Sequence, residues 1–345
     1  MTDVGLYGRN QIAHGFSSFD GRVENLNQLY LVINDFCTAR CLLCDYWKHK
    51  ERNFLTPGFV AKYVAPIIKK YKIAVVCVTG GEPTLHPQLQ EITKLIKEAG
   101  AKVTLITTST RLSQVFDLIK DTVDGYMLSL DADSEQMQRE IRGMNNFKEI
   151  IGWPARIKKE RPGSQVVFSC LIQKKNFERI VDIYGMMSRL PIDGIFFRVP
   201  DIKGYTFGRN SAKMPDNIKF AILDDGEIEV LSRNLGEISR RDTDRKLLHQ
   251  HKDTFDRYIK YFMALNGKNV EFEDRKCRVP FNSIIIDENK NVKPCFYLPE
   301  HAQIEESTAE SAINDNTMTQ TRKKLAGERD EYREKYCNRC VQFLK

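Results

Sequence analysis

The chain has 345 residues, 41% hydrophobic and 29% charged, a balance that supplies a sizeable core and excludes wholesale disorder. Its net charge of +7 is interleaved with acidic residues, as in Asp242-Thr243-Asp244-Arg245-Lys246, so a solvated surface is expected rather than a nucleic-acid-binding stripe. The N-terminal residues show no basic flank leading into an apolar stretch, and no later run is long enough to span a bilayer. The expectation is therefore a cytoplasmic location with no membrane and no nucleic-acid partner.

From about residue 27 to 200, short apolar runs alternate with amphipathic stretches, which is βα repetition. The candidate strands are 29–34, 73–78, 102–107, 125–130, 165–172 and 194–199. Between them lie helical stretches such as 87–99, closed by Gly100 as a C-terminal glycine cap. Six such units predict an α/β fold, a partial (β/α)6 TIM-like barrel with functional loops at the C-terminal ends of its strands. Residues 200–217 read as a loop leaving the barrel, 226–266 as a helical region and 318–336 as charged and helical in character. Segments 283–287 and 292–296 read as a β-hairpin around Glu288-Asn289-Lys290-Asn291. The expected organisation is an N-terminal extension (1–26), a barrel (27–217), and a helical connection leading to a smaller α+β auxiliary-cluster domain (218–345).

Nine cysteines in a chain of this length point to metal or redox chemistry rather than to disulfides. Cys37, Cys41 and Cys44 are spaced C-x3-C-x2-C directly after the first strand. Three thiolates on a short loop can hold three irons of a cubane cluster and leave the fourth open to another molecule. Part of a zinc site or a surface redox group is the bland alternative. About forty residues on, the second strand runs into Thr79-Gly80-Gly81-Glu82-Pro83, where two glycines let a backbone approach a ligand closely. Alone, that segment could be an ordinary strand-to-helix turn.

Taken together, the two motifs resemble the signatures of radical S-adenosylmethionine (radical SAM) enzymes, with Leu43 as the bulky residue before the last cysteine. The resemblance implies a [4Fe–4S] cluster on Cys37, Cys41 and Cys44, with the SAM amino group received by Thr79, Gly80, Gly81 and Glu82. Ser129-Leu130-Asp131 through Ile141-Arg142-Gly143 is similar to the family's fourth-strand pattern, in which Ser129 and Arg142 would hold the SAM carboxylate. A guanidinium suits that task because its fork matches carboxylate oxygens. Asp131 would touch ribose or substrate, or cap the next helix. Ala132 and Gln138 depart from the family's usual glycine and frequent histidine.

Cys277, Cys295, Cys337 and Cys340 form a second group, ending in a C-x2-C pair. Their order resembles the twitch domain, a shortened relative of the SPASM domain, which implies one auxiliary [4Fe–4S] cluster. Two [4Fe–4S] clusters and SAM are then the expected cofactors, although four thiols also suit structural zinc. Cys77 and Cys170 lie inside apolar strands and read as small buried hydrophobes; by analogy with radical SAM epimerases, Cys170 has the sharper alternative of hydrogen-atom donor. His49, His86, His249 and His251 read as packing or surface residues.

The resemblance implies a dehydrogenase-like oxidoreductase that abstracts hydrogen from a small natural-product or carbohydrate-like molecule and draws electrons from a flavodoxin- or ferredoxin-like reductant. A maturase or epimerase acting on a ribosomally made peptide is the alternative, with only about 27 residues before the first strand for a leader-recognition domain. A metal-stabilised binding or sensor protein is the alternative outside catalysis.

Overall fold

The six apolar runs become six parallel strands: β1 (Gln28–Val32), β2 (Val75–Thr79), β3 (Lys102–Thr107), β4 (Gly125–Ser129), β5 (Gln165–Leu171) and β6 (Gly194–Arg198). The computed structural model describes residues 20–202, 207–209, 216–243, 246–250, 252–273, 277–304, 311–328, 330–338 and 340. Most of the 1–26 extension, much of the 200–217 loop, and His251 lie outside the described residues. Each barrel strand pairs with its sequence neighbours, in the order β6-β5-β4-β3-β2-β1, as right-handed βα crossovers produce.

Alternation along the strands sorts side chains between two faces. Leu29, Leu31, Val76, Val78, Val103, Leu105, Tyr126, Leu128, Val166, Phe168 and Phe197 pack outward with the helices in one continuous core. The opposite face carries Tyr30, Cys77, Ile106, Met127, Ser129, Ser169 and Arg198, and it lines the concave interior. Cys170 lies with Val166 and Phe168 on the helix-packed side. Its orientation corrects the hydrogen-donor alternative and leaves the small-hydrophobe reading. Cys77 is the inward thiol, accepting a hydrogen bond from Gln28 Nε2 at 2.9 Å.

The barrel does not close. β1 pairs on its far side with β7 (Ser283–Ile286), also in parallel, from Gln28↔Ser283 to Leu31↔Ile286. β8 (Asn291–Lys293) and a short β9 (Ala302–Gln303) follow antiparallel, making one nine-stranded sheet. The hairpin therefore continues the barrel's sheet rather than starting another. At the other edge, β6 is covered by 247–250: Ile195 N–H donates to Leu247 O at 2.8 Å, and Gln250 Nε2 donates to Phe197 O at 2.8 Å. Such cover blunts an edge that would otherwise present unpaired backbone groups.

Two helical regions each divide in two. The 226–266 region is two helices, Asp225–Arg241 and Lys252–Leu265, because Asp242 ends the first and organises the turn. Its carboxylate accepts from Leu247 N–H (2.9 Å), Leu248 N–H (3.0 Å) and Tyr184 Oη (2.8 Å). The C-terminal helix likewise divides into Asn316–Ala326 and Glu331–Tyr336, with Gly327 capping the first and Asp330 accepting from Arg333 N–H at 2.9 Å to start the second. Both breaks use ordinary capping chemistry. No helix among the described residues is long and apolar enough to cross a membrane.

Candidate active site

Past β1, the chain runs through Asn34, Asp35 and Phe36 into the cysteine loop, and the end of β2 is laid against it. Ile33 N–H donates to Thr79 O, Gly81 N–H to Asn34 O and Glu82 N–H to Phe36 O, each at 2.9 Å, while Asn34 Nδ2 donates to Glu82 O at 2.9 Å. This zipper explains the glycines. A Cβ on Gly80 would stand 2.3 Å from Asn34 Oδ1, and one on Gly81 2.0 Å from Phe36 O. The glycines thus admit the backbone of the cysteine loop itself, which revises the expectation that the space they leave is reserved for a ligand.

The Glu82 side chain is fully buried, and its charge reaches Cys37. Its carboxylate accepts from Thr84 N–H (3.0 Å), Thr84 Oγ1 (2.7 Å), Thr107 Oγ1 (2.6 Å), Thr108 N–H (2.7 Å) and Thr108 Oγ1 (2.5 Å). A buried carboxylate is stable only when so surrounded by donors. Glu82 therefore ties β2 to β3, and what its segment offers a ligand is backbone. Thr107, Thr108, Asn34 and Phe36 were not singled out from sequence; the polar run 107–110 at a strand's C-terminal end was the available signal.

The opposite side of the loop is held by the end of the helix Glu135–Arg142. Arg40 N–H donates to Arg142 O at 2.8 Å and Leu42 N–H to Ile141 O at 3.0 Å. Gly143, at φ +67°, ends the helix where a Cβ would stand 2.9 Å from Arg40 Cβ. Arg142 Nη2 pairs with Asp131 Oδ2 at 2.9 Å, its Nη1 lies 3.9 Å from Cys41 Sγ, and its buried Nε has no hydrogen-bond partner. Asp131 also accepts from Leu171 N–H at 2.7 Å. Ser129 ends β4 on the inner face, in register with Ser169. Leu43 packs with Ile202 and Ala221, so it anchors the loop to the segment after β6.

Burial, then the neighbouring Cys41, pushes the Cys44 thiol up to about 12, against the Tyr46 backbone N–H. Burial also leads the upward shifts of Cys37 and Cys41. Such thiols become thiolates when a cationic centre replaces their protons. The donor set offers only sulfur, which suits an iron–sulfur cluster.

Cys277, Cys295, Cys337 and Cys340, from three separate segments, lie within electrostatic reach of one another. Burial and then Cys340 raise Cys295, with Cys277 and Cys337 adding to the effect, while the Tyr297 backbone N–H opposes it. Cys277 feels Cys340 and Cys337 in the same way and is opposed by the Val279 N–H. Arg257 Nε holds the Cys340 carbonyl at 2.7 Å. Among the described residues, no three His, Cys, Asp or Glu side chains are drawn together as around a single metal ion. Of the histidines, His86 Nε2 lies 3.0 Å from Leu55 O and His49 Nε2 2.7 Å from Gly208 O, while His249 stacks on Phe196 at 4.4 Å.

The family profile of the radical SAM superfamily matches residues 31–187. The chain carries a radical SAM domain. It is similar to a protein described as "Probable GTP 3',8-cyclase" from Sulfolobus acidocaldarius, 27% identical over 176 residues, which is 50% of this chain and 55% of the relative. A protein of the same description from Saccharolobus solfataricus is 29% identical over 128 residues, covering 36% and 42%. The chain thus spans about half the length of the curated relatives it matches. In fold, this radical SAM chain resembles Streptococcus suis SuiB bound to S-adenosylmethionine, with TM-score 0.65, 14% identity, and coverage of 87% of this chain and 68% of that one. It also resembles anSMEcpe with bound AdoMet, with TM-score 0.65, 15% identity, and coverage of 91% and 86%.

Proposed function

We propose that this radical SAM protein cleaves SAM reductively and uses the resulting radical to take a hydrogen atom from a small molecule, which it then oxidises. The observation that supports this reading is the double docking of the cysteine loop. One side is zipped to the Gly80–Gly81 backbone and the other to the end of the helix bearing Arg142, so the loop stands between two segments that the resemblance assigns to SAM. Cys37, Cys41 and Cys44 would hold a [4Fe–4S] cluster, which when bound supplies the electron that breaks a carbon–sulfur bond of SAM to give methionine and a 5′-deoxyadenosyl radical.

The chain's own contribution is placement and exclusion of water. Thr79, Gly80, Gly81 and Glu82 would offer backbone polar groups to the amino group of SAM. Ser129 and Arg142 would meet its carboxylate, and Asp131 keeps Arg142 aimed at the loop through their 2.9 Å pair. In the second thiol group, Cys277, Cys295, Cys337 and Cys340 would hold an auxiliary cluster, a place for the electron released when a substrate radical is oxidised. The electron entering the barrel site would come from a flavodoxin- or ferredoxin-like reductant.

Anaerobic reconstitution with iron and sulfide, followed by SAM and dithionite, tests this reading. Formation of 5′-deoxyadenosine that disappears on replacement of Cys37, Cys41 and Cys44 is expected. A protein that takes up iron at those cysteines and leaves SAM intact would contradict it.

The peptide-substrate reading is favoured by one observation, the likeness in fold to SuiB bound to precursor peptide SuiA, with TM-score 0.65 at 15% identity. Deuterium transfer from a labelled small molecule to deoxyadenosine separates the two readings.

A further inference from the structure

Two of the arginines at the C-terminal ends of the strands are neutralised within the chain. Arg142 pairs with Asp131 at 2.9 Å and Arg209 with Asp201 at 3.0 Å. Arg198, at the end of β6, points into the concave interior and has no carboxylate partner among the described residues. Its Nε donates to Ser169 Oγ at 3.1 Å, its Nη2 lies 3.7 Å from Met127 Sδ, and its plane sits 5.6 Å from the Phe196 ring. Nη1 makes no hydrogen bond among the described residues.

Asp201, the carboxylate that Tyr297 feels, is held by Arg209, and phenols and a thiol are the other groups facing Arg198. Its charge reaches Tyr30, Cys77, Tyr258 and Tyr297, opposing the larger upward push of burial on each. Tyr30 and Tyr297 also lie within electrostatic reach of Cys295. The unpaired guanidinium thus stands in the barrel interior on the side of the auxiliary thiols. A half-buried cation without a counter-charge is costly unless something supplies one.

We propose that Arg198 binds a carboxylate of the substrate in the barrel interior, so that the molecule acted on is a monoanionic acid. One cation balances one negative charge, whereas a polyphosphate would bring several charges to the one guanidinium without a carboxylate partner that the described residues place there. The fork is preorganised by Ser169, and its free Nη1 can donate to a carboxylate oxygen. The phenols of Tyr30 and Tyr297 flank the same space. This inference rests on the barrel interior being the substrate site of the proposed reaction.

The test uses the reconstituted holoprotein with SAM bound. Melting temperature is followed at fixed ionic strength during titration with hexanoate, hexanamide, a hexapeptide with a free C-terminal carboxylate, its C-terminal amide, or inorganic phosphate. A carboxylate should raise the melting temperature where its amide does not, and hexanoate against peptide tells a small acid from a chain terminus. Arg198→Gln should weaken that binding at least about tenfold, the scale of losing a charge-assisted pair. Arg198→Lys should retain part of it, which also guards against a folding defect in the first variant.

Iron content and the SAM-induced shift, read on the same samples, report separately on the radical SAM reading and should be unchanged. The proposal is overturned if acid and amide act alike, if no carboxylate shifts the wild type, or if Arg198→Gln keeps the full shift. It is equally overturned if phosphate is the anion whose effect depends on Arg198.

Discussion

The two cysteine groups are built in opposite ways. Cys37, Cys41 and Cys44 lie within eight residues of one loop, and the loop is fixed by backbone hydrogen bonds from Gly81 and Glu82 on one side and to Ile141 and Arg142 on the other that need no metal. Cys277, Cys295, Cys337 and Cys340 belong to three segments, and the C-terminal one is held by Arg257 of the helix Lys252–Leu265, which donates to the carbonyls of Cys340 and Asn338 at 2.7 and 3.3 Å. The first site is therefore preorganised by the barrel. In the second, a bound metal or cluster would also hold the C-terminal segment against the hairpin.

The sharpest way to break this comparison is to remove one set of thiols. Replacing Cys37, Cys41 and Cys44 with Ala should abolish SAM cleavage and lower bound iron from about eight to about four per chain. Thermal stability should change little, because the loop keeps its backbone contacts. Iron and sulfide quantitation beside a melting curve measures both effects, and zinc in the remaining site would reject the auxiliary cluster.

Gly81→Val attacks the preorganisation without touching a thiol. Its Cβ would fall 2.0 Å from Phe36 O, so the cysteine loop must move. Loss of the barrel iron as well as of SAM cleavage is expected, with a destabilisation of about 2–4 kcal/mol. Full iron content with only SAM cleavage lost would instead mean that the glycine serves the ligand.

Arg142→Ala should cost about 3–5 kcal/mol, since it leaves Asp131 buried and unpaired. Pairing it with Asp131→Asn should recover part of that loss while SAM affinity stays low. Chemical denaturation and SAM binding measured on the single and double variants separate support of the loop from contact with SAM.

Cys295→Ser should permit deoxyadenosine formation yet suppress oxidised product, and it should lower the melting temperature more than loss of the first three thiols does. Equal, undiminished yields of both compounds would leave the second site a structural staple.

The smallest effect concerns the hairpin turn beside the loop. Burial, then the Asp287 charge, raises Glu288 from 4.5 to about 7. The native state therefore holds more protons than the unfolded chain between those values, so stability should decline as pH rises from 4.5 through about 7. Glu288→Gln should flatten that slope in urea titrations across the range, and an unchanged slope would assign the pH dependence elsewhere.

The difference between the regions also decides what could be read from residues alone. Strand runs with period-two packing, the C-x3-C-x2-C loop and the GGE segment are local patterns, and their elements appear in place within a few residues. The parallel pairing of β1 with β7 joins residues about 250 positions apart, and no local periodicity encodes it. Glu82 invites a ligand role by its place in the motif, whereas its burial under Thr107 and Thr108 depends on where β3 ends. Arg198 looks like a strand-terminal surface cation until β5 and β6 are aligned and Ser169 is seen beneath it. The helix breaks at Asp242 and at Gly327 and Asp330 rest on capping contacts that the helical periodicity on either side does not display.

The most direct test of the account is an electron paramagnetic resonance measurement on the variant lacking Cys277, Cys295, Cys337 and Cys340, reconstituted and reduced without SAM and then with it. The account predicts about four irons, one reduced [4Fe–4S] signal, and a change in that signal on SAM addition that is followed by deoxyadenosine. A cluster signal indifferent to SAM, with SAM recovered intact, would contradict the claim that the loop of Cys37, Cys41 and Cys44 is where the chemistry begins.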